Sequence, residues 1–235
     1  MIDRSLIYVL HHIASFLRRA GDSSSIVDLG DGQGTDLAIA PVVHPQANLI
    51  AVENWPPYVD TLSAKGIAVE SLNIERDQLP FADESVDVII ANQVLEHCKE
   101  VFWIFSEVSR TLKTGGCFIV GVPNLAALHN RLLLAMGRQP SPIKTASAHV
   151  RGYTRQDVEH FVASCFPGGY RVDAFGGSNF YPFPPFLAKP LATIFPNFAW
   201  GIFLLLRKVG PYNGEFLKFP VEQGLETNFW LGEKT

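Results

Sequence analysis

Four short apolar runs, rich in β-branched residues, restrict the folds that are open to this 235-residue chain. The runs are SIVDL at 25–29, NLIAVE at 48–53, VDVIIA at 86–91 and CFIVGV at 117–122. Each run is continuous rather than alternating, which is typical of strands that are buried on both faces of a parallel sheet. Segments of helical character separate the runs, and this alternation predicts an α/β fold with a doubly wound, mostly parallel sheet.

The helix signals lie between and after these runs. TDLAIAPVV at 35–43 and YVDTLSAKG at 58–66 are predicted crossover helices. The segment 99–116 spaces its apolar residues three and four apart, as an amphipathic helix does. Thr154 and Asp157 form a capping box at the start of a further helix. Helices at these places would cover the sheet.

The chain length suits one α/β core with an appended part. We expect residues 1–175 to form the core, with an N-terminal helix and a lid insertion at 124–150, and residues 176–235 to form an apolar cap or extension that completes the sheet. Prolines and a lysine inside 186–206 argue against a membrane span. We expect a cap helix and an edge strand there, followed by a hairpin or an extension from 211 to 235.

Charge and cysteine content exclude several classes of function. Nineteen basic and 23 acidic residues give a net charge of −4, so no basic field is available to hold nucleic acid. Cys98, Cys117 and Cys165 lack paired spacing, and neither a disulfide framework nor a metal site is predicted. Residues 1–19 lack the pattern of a secretory signal, so we expect an amphipathic helix there and a cytoplasmic location.

The first apolar run leads into VDLGDGQGTD at 27–36, a glycine-rich turn that also carries three aspartates. Gly30, Gly32 and Gly34 let a backbone approach a ligand closely. The turn matches a dinucleotide fingerprint imperfectly and no phosphate-loop lysine follows, which makes a nicotinamide dehydrogenase a distant alternative. Glu53 ends the second run about 20 residues later, where a carboxylate accepts ribose hydroxyls. Because the turn is acidic, the pattern predicts a cationic nucleoside, as S-adenosylmethionine is.

Four motifs, taken in order, resemble those of the class I S-adenosylmethionine-dependent methyltransferases. They are VDLGDGQG, AVE at 51–53, the segment 73–97 that ends in LEH, and LKTGGCFIV at 112–120. The resemblance covers roughly residues 20–165. It implies a Rossmann-like, seven-stranded sheet with a helical cap and a C-terminal extension, and S-adenosyl-L-methionine as cofactor.

The resemblance also implies which residues bind the cofactor. They are Asp28, Gly30, Asp31, Gly32, Gly34, Glu53, Asn54, Trp55, Asn73, Ile74, Asn92 and Gln93. Two of them depart from the family: Asp31 stands where a small or neutral residue is common, and Asn73 where aspartate is frequent. Asp31 either steadies the positive end of the cofactor or marks a site that binds poorly. Asn73 is either an adenine contact or a plain loop residue.

Three residues are candidates for catalysis. Methyl transfer from a sulfonium is an in-line displacement, in which orientation supplies most of the acceleration. A base is needed only if the acceptor must lose a proton, and histidine suits that role near neutral pH. His97, which ends LEH, and His149 and Tyr153, in HVRGY, are the candidates. A loop tether is an equally open role for His97, and interdomain packing is one for the other two.

The sequence therefore predicts a methyltransferase that acts on a small-molecule, glycan or lipid-linked acceptor and not on nucleic acid. The alternative is a non-catalytic module that binds S-adenosylmethionine or S-adenosylhomocysteine, which the departures at Asp31 and Asn73 suggest. The apolar stretch 180–206 either packs as a cap or meets a membrane face or a lipid-linked acceptor.

Overall fold

The computed structural model describes residues 4–226 and 228–232, with side chains from residue 11 onward. Its strands are β1 Ser25–Leu29, β2 Asn48–Val52, β3 Ala68–Glu70, β4 Val86–Asn92, β5 Leu112–Pro123, β6 Tyr170–Ser178 and β7 Gly201–Lys208. Its α-helices are α1 Arg4–Ala20, α2 Ala40–Val43, α3 Pro56–Ala64, α4 Val101–Thr111, α5 Leu128–Ala135, α6 Arg155–Cys165, α7 Pro185–Ile194 and α8 Glu215–Glu222.

The strands form one sheet in the order β3-β2-β1-β4-β5-β7-β6. Strand β7 is antiparallel to both of its neighbours, and the pairs on the other side of β5 are parallel. The predicted α/β class and mostly parallel, seven-stranded sheet are confirmed. The expected edge strand is wrong, because β7 lies between β5 and β6. A helix, α8, also replaces the hairpin considered after residue 211.

Both faces of the sheet are covered, as the continuous apolar runs predict. Phe118 and Val120 of β5 join a core with α4, α6 and α8, whereas Cys117 and Ile119 join a second core with α1, α2 and α3. Side chains alternate because successive residues of a strand point to opposite faces. Each large apolar side chain that is fully buried contributes roughly 1.5–3 kcal/mol to stability.

Two predicted helices differ in their outcome. Oγ1 of Thr154 accepts a hydrogen bond from the amide of Asp157 (3.1 Å), which confirms Thr154 as the N-cap of α6. The Asp157 carboxylate accepts a bond from the Thr154 hydroxyl (2.7 Å), which replaces the second bond of a full capping box. The crossover predicted at 35–43 is helical only from Ala40 to Val43. The remainder of that segment forms consecutive turns that continue the glycine-rich turn, so the first crossover begins with a long cradle of irregular backbone.

Two segments, 124–150 and 179–200, together form what we call the lid. They follow β5 and β6, which run in the same direction, so both leave the sheet at its carboxyl edge. Asn124 donates hydrogen bonds across the lid to the carbonyls of Asn197 (2.9 Å) and Ala199 (2.8 Å). The boundary expected between residues 175 and 176 falls inside β6, so the sheet continues across it. Within the described ranges, no helix is long and apolar enough to cross a membrane.

Candidate functional site

The glycine-rich turn after β1 is shaped by close contacts that leave no room for side chains. Gly30 has φ +70°, and a Cβ there would lie 2.6 Å from Cγ2 of Val94. Gly34 has φ +79°, and its Cβ would lie 2.9 Å from methyl groups of Leu62 and Ile67. Both positions therefore require glycine, because the conformation and the space each disfavour a side chain. The amide of Gly30 donates to the carbonyl of Val52 (2.7 Å), which holds the turn against β2.

Glu53 follows β2 and borders the same turn. Its Oε1 accepts the amides of Asn54 (2.9 Å) and Trp55 (3.0 Å), and its Oε2 accepts the amide of Gly32 (3.2 Å). These bonds fix the carboxylate at the carboxyl edge of the sheet, where ligands of doubly wound folds bind. A cavity of about 170 Å³ opens beside it. Its lining residues are Gly30, Val52, Glu53, Asn54, Leu72, Ile74, Glu75, Val94, His97 and Cys98.

Carboxyl groups cluster beneath this turn. Asp28 is only 1% exposed, and burial, followed by the nearby charges of Asp31 and Asp36, raises its pKa well above the usual range. Burial also raises the pKa of Asp31, and it raises that of Asp36 to about 6. Hydrogen bonding from Asp28 and from the backbone amides of Asp36 and Leu37 offsets part of the rise in the pKa of Asp31. Within the described part of the chain, one Asp28 oxygen and both Asp31 oxygens nevertheless make no hydrogen bond of good geometry. Several buried acceptors are thus gathered with too few well-placed donors.

Asn92, at the end of β4, completes this group of acceptors. Its amide nitrogen donates to Asp36 (2.8 Å), while its Oδ1 is buried and lacks a partner within the described residues. A phosphate placed here would meet carboxylates, and buried like charges repel each other. A ligand with a positive charge and N–H donors would satisfy the free oxygens. The residues present therefore fit the methionine end of S-adenosylmethionine, which carries an ammonium and a sulfonium.

Four of the twelve predicted cofactor residues line the cavity: Gly30, Glu53, Asn54 and Ile74. Among the other eight, Trp55, Asn73 and Gln93 lie apart from both the cavity and the carboxyl cluster. Trp55 is 52% exposed and its ring meets Tyr58 edge-on, with 4.4 Å between the centroids. The Oδ1 of Asn73 accepts the amide of Glu75 (2.9 Å), so a local turn already uses the oxygen that was expected to meet adenine. Gln93 has φ +59° and lies beyond the lining residues. The contacts of these three residues with the cofactor remain predictions from the sequence.

His97 and His149 are brought together, although 51 residues separate them in the sequence. Their rings meet edge-on with 4.6 Å between the centroids. Nδ1 of His97 lies 3.3 Å from the carbonyl of Ala148, and Nδ1 of His149 lies 2.7 Å from that of Pro142. Burial and the neighbouring His149 lower the pKa of His97, which favours its neutral ring at pH 7. Only His97 of the pair lines the cavity.

Tyr153 is not brought to the cavity beside the turn. Its hydroxyl donates to the carbonyl of Leu95 (3.2 Å), and burial raises its pKa further above the usual range. Its ring borders a separate cavity of about 640 Å³ between α4, α6 and the C-terminal segment. The backbone carbonyl of Tyr153 accepts the amide of Leu125 (2.8 Å). Tyr153 therefore anchors the start of the lid, whereas the sequence predicted a catalytic position.

Three residues that bear on this site were not among the predicted ones. Val94 limits the space beside Gly30, and Asp36 belongs to the carboxyl cluster. Glu96 is 2% exposed; its Oε2 lacks a partner within the described residues, and burial raises its pKa to about 7. Asp36 belongs to the motif VDLGDGQGTD and Glu96 to LEH, so both carboxyl groups could be noticed in the sequence. The burial of Glu96 could not be predicted from the sequence.

Comparisons with known proteins relate the segment that contains the glycine-rich turn to methyltransferases. A sequence model of the family described as Methyltransferase domain matches residues 27–120. An arsenite methyltransferase of Halobacterium salinarum is 32% identical over 39% of this chain and 25% of its own length. A dimethylglycine N-methyltransferase of Parasynechococcus marenigrum is 33% identical over 53% of this chain and 45% of its own length. The chain thus spans less than half the length of the curated relatives that it matches.

A solved structure extends the likeness of the fold beyond the matched segment. A Haloferax volcanii chain, solved in complex with the methyltransferase activator Trm112, superposes with a TM-score of 0.63. The superposition covers 90% of this chain and 92% of that one, at 17% sequence identity. The likeness of the fold therefore extends well beyond residues 27–120, which the family model matches.

Proposed function

We propose that this chain, whose residues 27–120 match the methyltransferase domain family, is a class I S-adenosylmethionine-dependent methyltransferase that transfers a methyl group from that cofactor to an acceptor by in-line displacement. The observation that carries the proposal is the group of buried carboxyl oxygens of Asp28 and Asp31 beside a glycine turn, which make no hydrogen bond of good geometry within the described residues. Such a site complements a ligand that joins a nucleoside to a cationic tail. The phosphates of a dinucleotide or of a nucleoside triphosphate would instead be repelled by these carboxylates.

The residues of the site divide into two groups. Asp28, Asp31 and Asn92 would accept hydrogen bonds from the cationic end of the cofactor, and Glu53 would accept them from the ribose. Asn54 and Ile74, which line the cavity, would border the adenine. When bound, S-adenosylmethionine supplies an electrophilic methyl group on its sulfonium. The chain contributes binding, orientation and the apolar walls of Leu72 and Val94, which exclude water.

The proposal is tested by calorimetry on the full chain with S-adenosylmethionine and S-adenosylhomocysteine, followed by a screen for incorporation of labelled methyl groups. We expect both compounds to bind and label to appear in an acceptor fraction. Binding of both compounds without transfer to any fraction would favour the non-catalytic binding module. Failure of both compounds to bind would contradict the proposal and that alternative together.

For the acceptor, we propose a lipid-linked molecule that is approached at an anionic lipid surface. The lid contains no aspartate or glutamate, although the whole chain has a net charge of −4. Its basic residues are Arg131, Arg138, Lys144 and Lys189. Each basic residue near an anionic membrane contributes about 1 kcal/mol of attraction. The positive segments are thus those at the carboxyl edge, beside the proposed cofactor site.

The helix α7 supports the same acceptor class. It buries the small residues Ala188 and Ala192 and exposes large ones, with Phe186 75% and Ile194 66% exposed. A helix that packs only as a cap would bury its large apolar side chains. Other exposed apolar side chains of the lid are Leu132, Leu134, Met136, Tyr181, Phe183, Leu187, Phe195 and Phe198. Exposure of many apolar side chains on two neighbouring segments is typical of interaction surfaces.

Replacing Phe186 and Phe195 together by serine is expected to abolish co-flotation of the protein with vesicles that contain anionic phospholipid. The wild-type protein should float with these vesicles and much less with purely zwitterionic ones, because both apolar insertion and basic residues contribute. Val221→Ser, at a 66% exposed apolar position on α8, is the matched control and should float normally. Absence of wild-type flotation at low salt would contradict the lipid-surface proposal and leave methyl transfer untouched.

A further inference from the structure

Glu96, His97 and His149 form a cluster that the proposed binding of the cofactor does not use. One ligand-capable atom from each side chain lies within 4.8 Å of the others. The carboxylate is buried, His97 is exposed and His149 is half-buried, so the cluster has a closed floor and an open side. Imidazole and carboxylate together are ligands typical of divalent transition metals.

The buried carboxylate is the first independent sign of a ligand. Glu96 is 2% exposed, and its Oε2 has no hydrogen-bond partner within the described residues. A buried, unpaired carboxylate is costly, and such groups are normally paired or coordinate a metal. Loop tethering does not account for it, because the amides of Val150 (2.8 Å) and Arg151 (3.2 Å) donate to the backbone carbonyl of Glu96 instead.

The two histidines supply the second sign. Nδ1 of His149 lies 2.7 Å from the carbonyl of Pro142, and Nδ1 of His97 lies 3.3 Å from that of Ala148. A carbonyl can only accept, so it selects the tautomer in which Nδ1 carries the proton. Both Nε2 atoms then keep their lone pairs. Histidines that bind metals through one nitrogen commonly donate the other N–H to a carbonyl in this way.

We propose that Glu96, His97 and His149 bind one divalent transition-metal ion such as Zn²⁺. Three protein ligands leave at least one coordination position open, as in catalytic rather than structural sites. His97 also lines the cavity next to Gly30 and Glu53, so the open position lies beside the proposed cofactor site. This cluster amends the expectation from the sequence, which assigned no metal.

The role of this ion rests on the proposed function. An acceptor hydroxyl or carboxylate oxygen would occupy the open position. A metal ion lowers the pKa of a hydroxyl that it coordinates, so the hydroxyl proton would pass to solvent at the open side of the cluster. The oxyanion would then form the new bond to the methyl carbon while the bond from that carbon to sulfur breaks and S-adenosylhomocysteine leaves. The substrate class is therefore an acceptor with an oxygen nucleophile. His97 and His149 would serve as ligands and would not need to take the proton themselves.

The test is titration of the 235-residue chain, after treatment with a chelator, with Zn²⁺ alone and with Co²⁺ alone. We expect one equivalent to bind, and visible absorption from Co²⁺ without a sulfur charge-transfer band. Glu96→Gln and His149→Ala should each weaken binding by at least about tenfold. His160→Ala, at an exposed histidine on α6, is the matched control and should bind normally. Circular dichroism of each variant verifies folding, and the half-buried His149 carries the test if Glu96→Gln unfolds.

Three results would overturn the proposal. The first is that neither ion binds, and the second is that the wild type and the folded ligand variants bind with equal affinity. The third is a sulfur-to-cobalt band, because it would place the ion at a cysteine. Calorimetry with S-adenosylmethionine in the presence of chelator is independent of all three outcomes. Loss of the metal site and loss of the proposed function are therefore distinguishable.

Discussion

Replacing Glu53 by alanine is expected to weaken binding of S-adenosylmethionine by at least about 100-fold. The carboxylate borders the cavity and would accept hydrogen bonds from the ribose, and each bond to a charged group contributes about 1.5–3 kcal/mol. The change also removes the acceptor that now orders the amides of Gly32, Asn54 and Trp55. Isothermal titration calorimetry measures the change in affinity.

The matched control is Glu70→Ala. Glu70 ends β3, which pairs with β2 in parallel, so it lies at the same edge of the sheet; it is exposed and does not line the cavity. Its loss should leave the affinity within about twofold of the wild type, since surface substitutions usually change free energies by less than about 0.5 kcal/mol. Equal affinities for the wild type and Glu53→Ala would show that the nucleoside binds elsewhere.

The apolar runs predicted four of the seven strands, because a strand buried on both faces leaves a continuous signal that needs no knowledge of its neighbours. Strand β3 has only three residues and β6 is half polar, so neither produces such a signal. The place of β7 depends on pairing with β5 and β6, which lie far from it in sequence. The order of strands in a sheet depends on long-range pairing. The local sequence pattern therefore predicted an edge strand where β7 lies inside the sheet.

The candidate site divides in the same way. Gly30 and Glu53 were predictable, since a turn that needs positive φ and a carboxylate at a strand end follow from spacing alone. Asn73 was not, because whether its oxygen serves adenine or the amide of Glu75 depends on the local geometry of a turn. The amides of Val150 and Arg151 donate to the backbone carbonyl of Glu96, a long-range contact that the sequence around LEH does not indicate. That Oε2 of Glu96 is buried without a partner among the described residues can be recognised only from the structure.

Replacing Asp31 by asparagine is expected to stabilise the ligand-free protein and to weaken its binding of the cofactor. Burial raises the pKa of Asp31, and Asp31 is itself one of the charges that raise the pKa of Asp28. Removing one carboxylate relieves this repulsion, for a gain on the order of 1 kcal/mol, or about 2–4 °C in Tm for a chain of this size. Cofactor affinity should fall about 10- to 100-fold as a charge-assisted bond is lost.

The pH dependence follows from the same carboxyl cluster. The pKa of Asp36 is about 6 in the folded protein against an ordinary 3.8, and those of Asp28 and Asp31 are also raised. The folded state therefore holds protons that the unfolded state has released, and stability falls as pH rises through the folded pKa values. We expect the Tm of the ligand-free protein to decrease from about pH 4 to above pH 6. In Asp31→Asn this decrease should be smaller.

Asp22→Asn is the matched control, because Asp22 is exposed and precedes β1, at the opposite edge of the sheet. It should change neither the Tm profile nor the affinity for S-adenosylmethionine. Differential scanning fluorimetry across this pH range and calorimetry at neutral pH give the two measurements. If affinity rises in Asp31→Asn, the carboxylate opposes the cofactor and marks a site that binds it poorly. If affinity falls while the ligand-free protein gains stability, the carboxylate is retained at the expense of stability because it holds a cation.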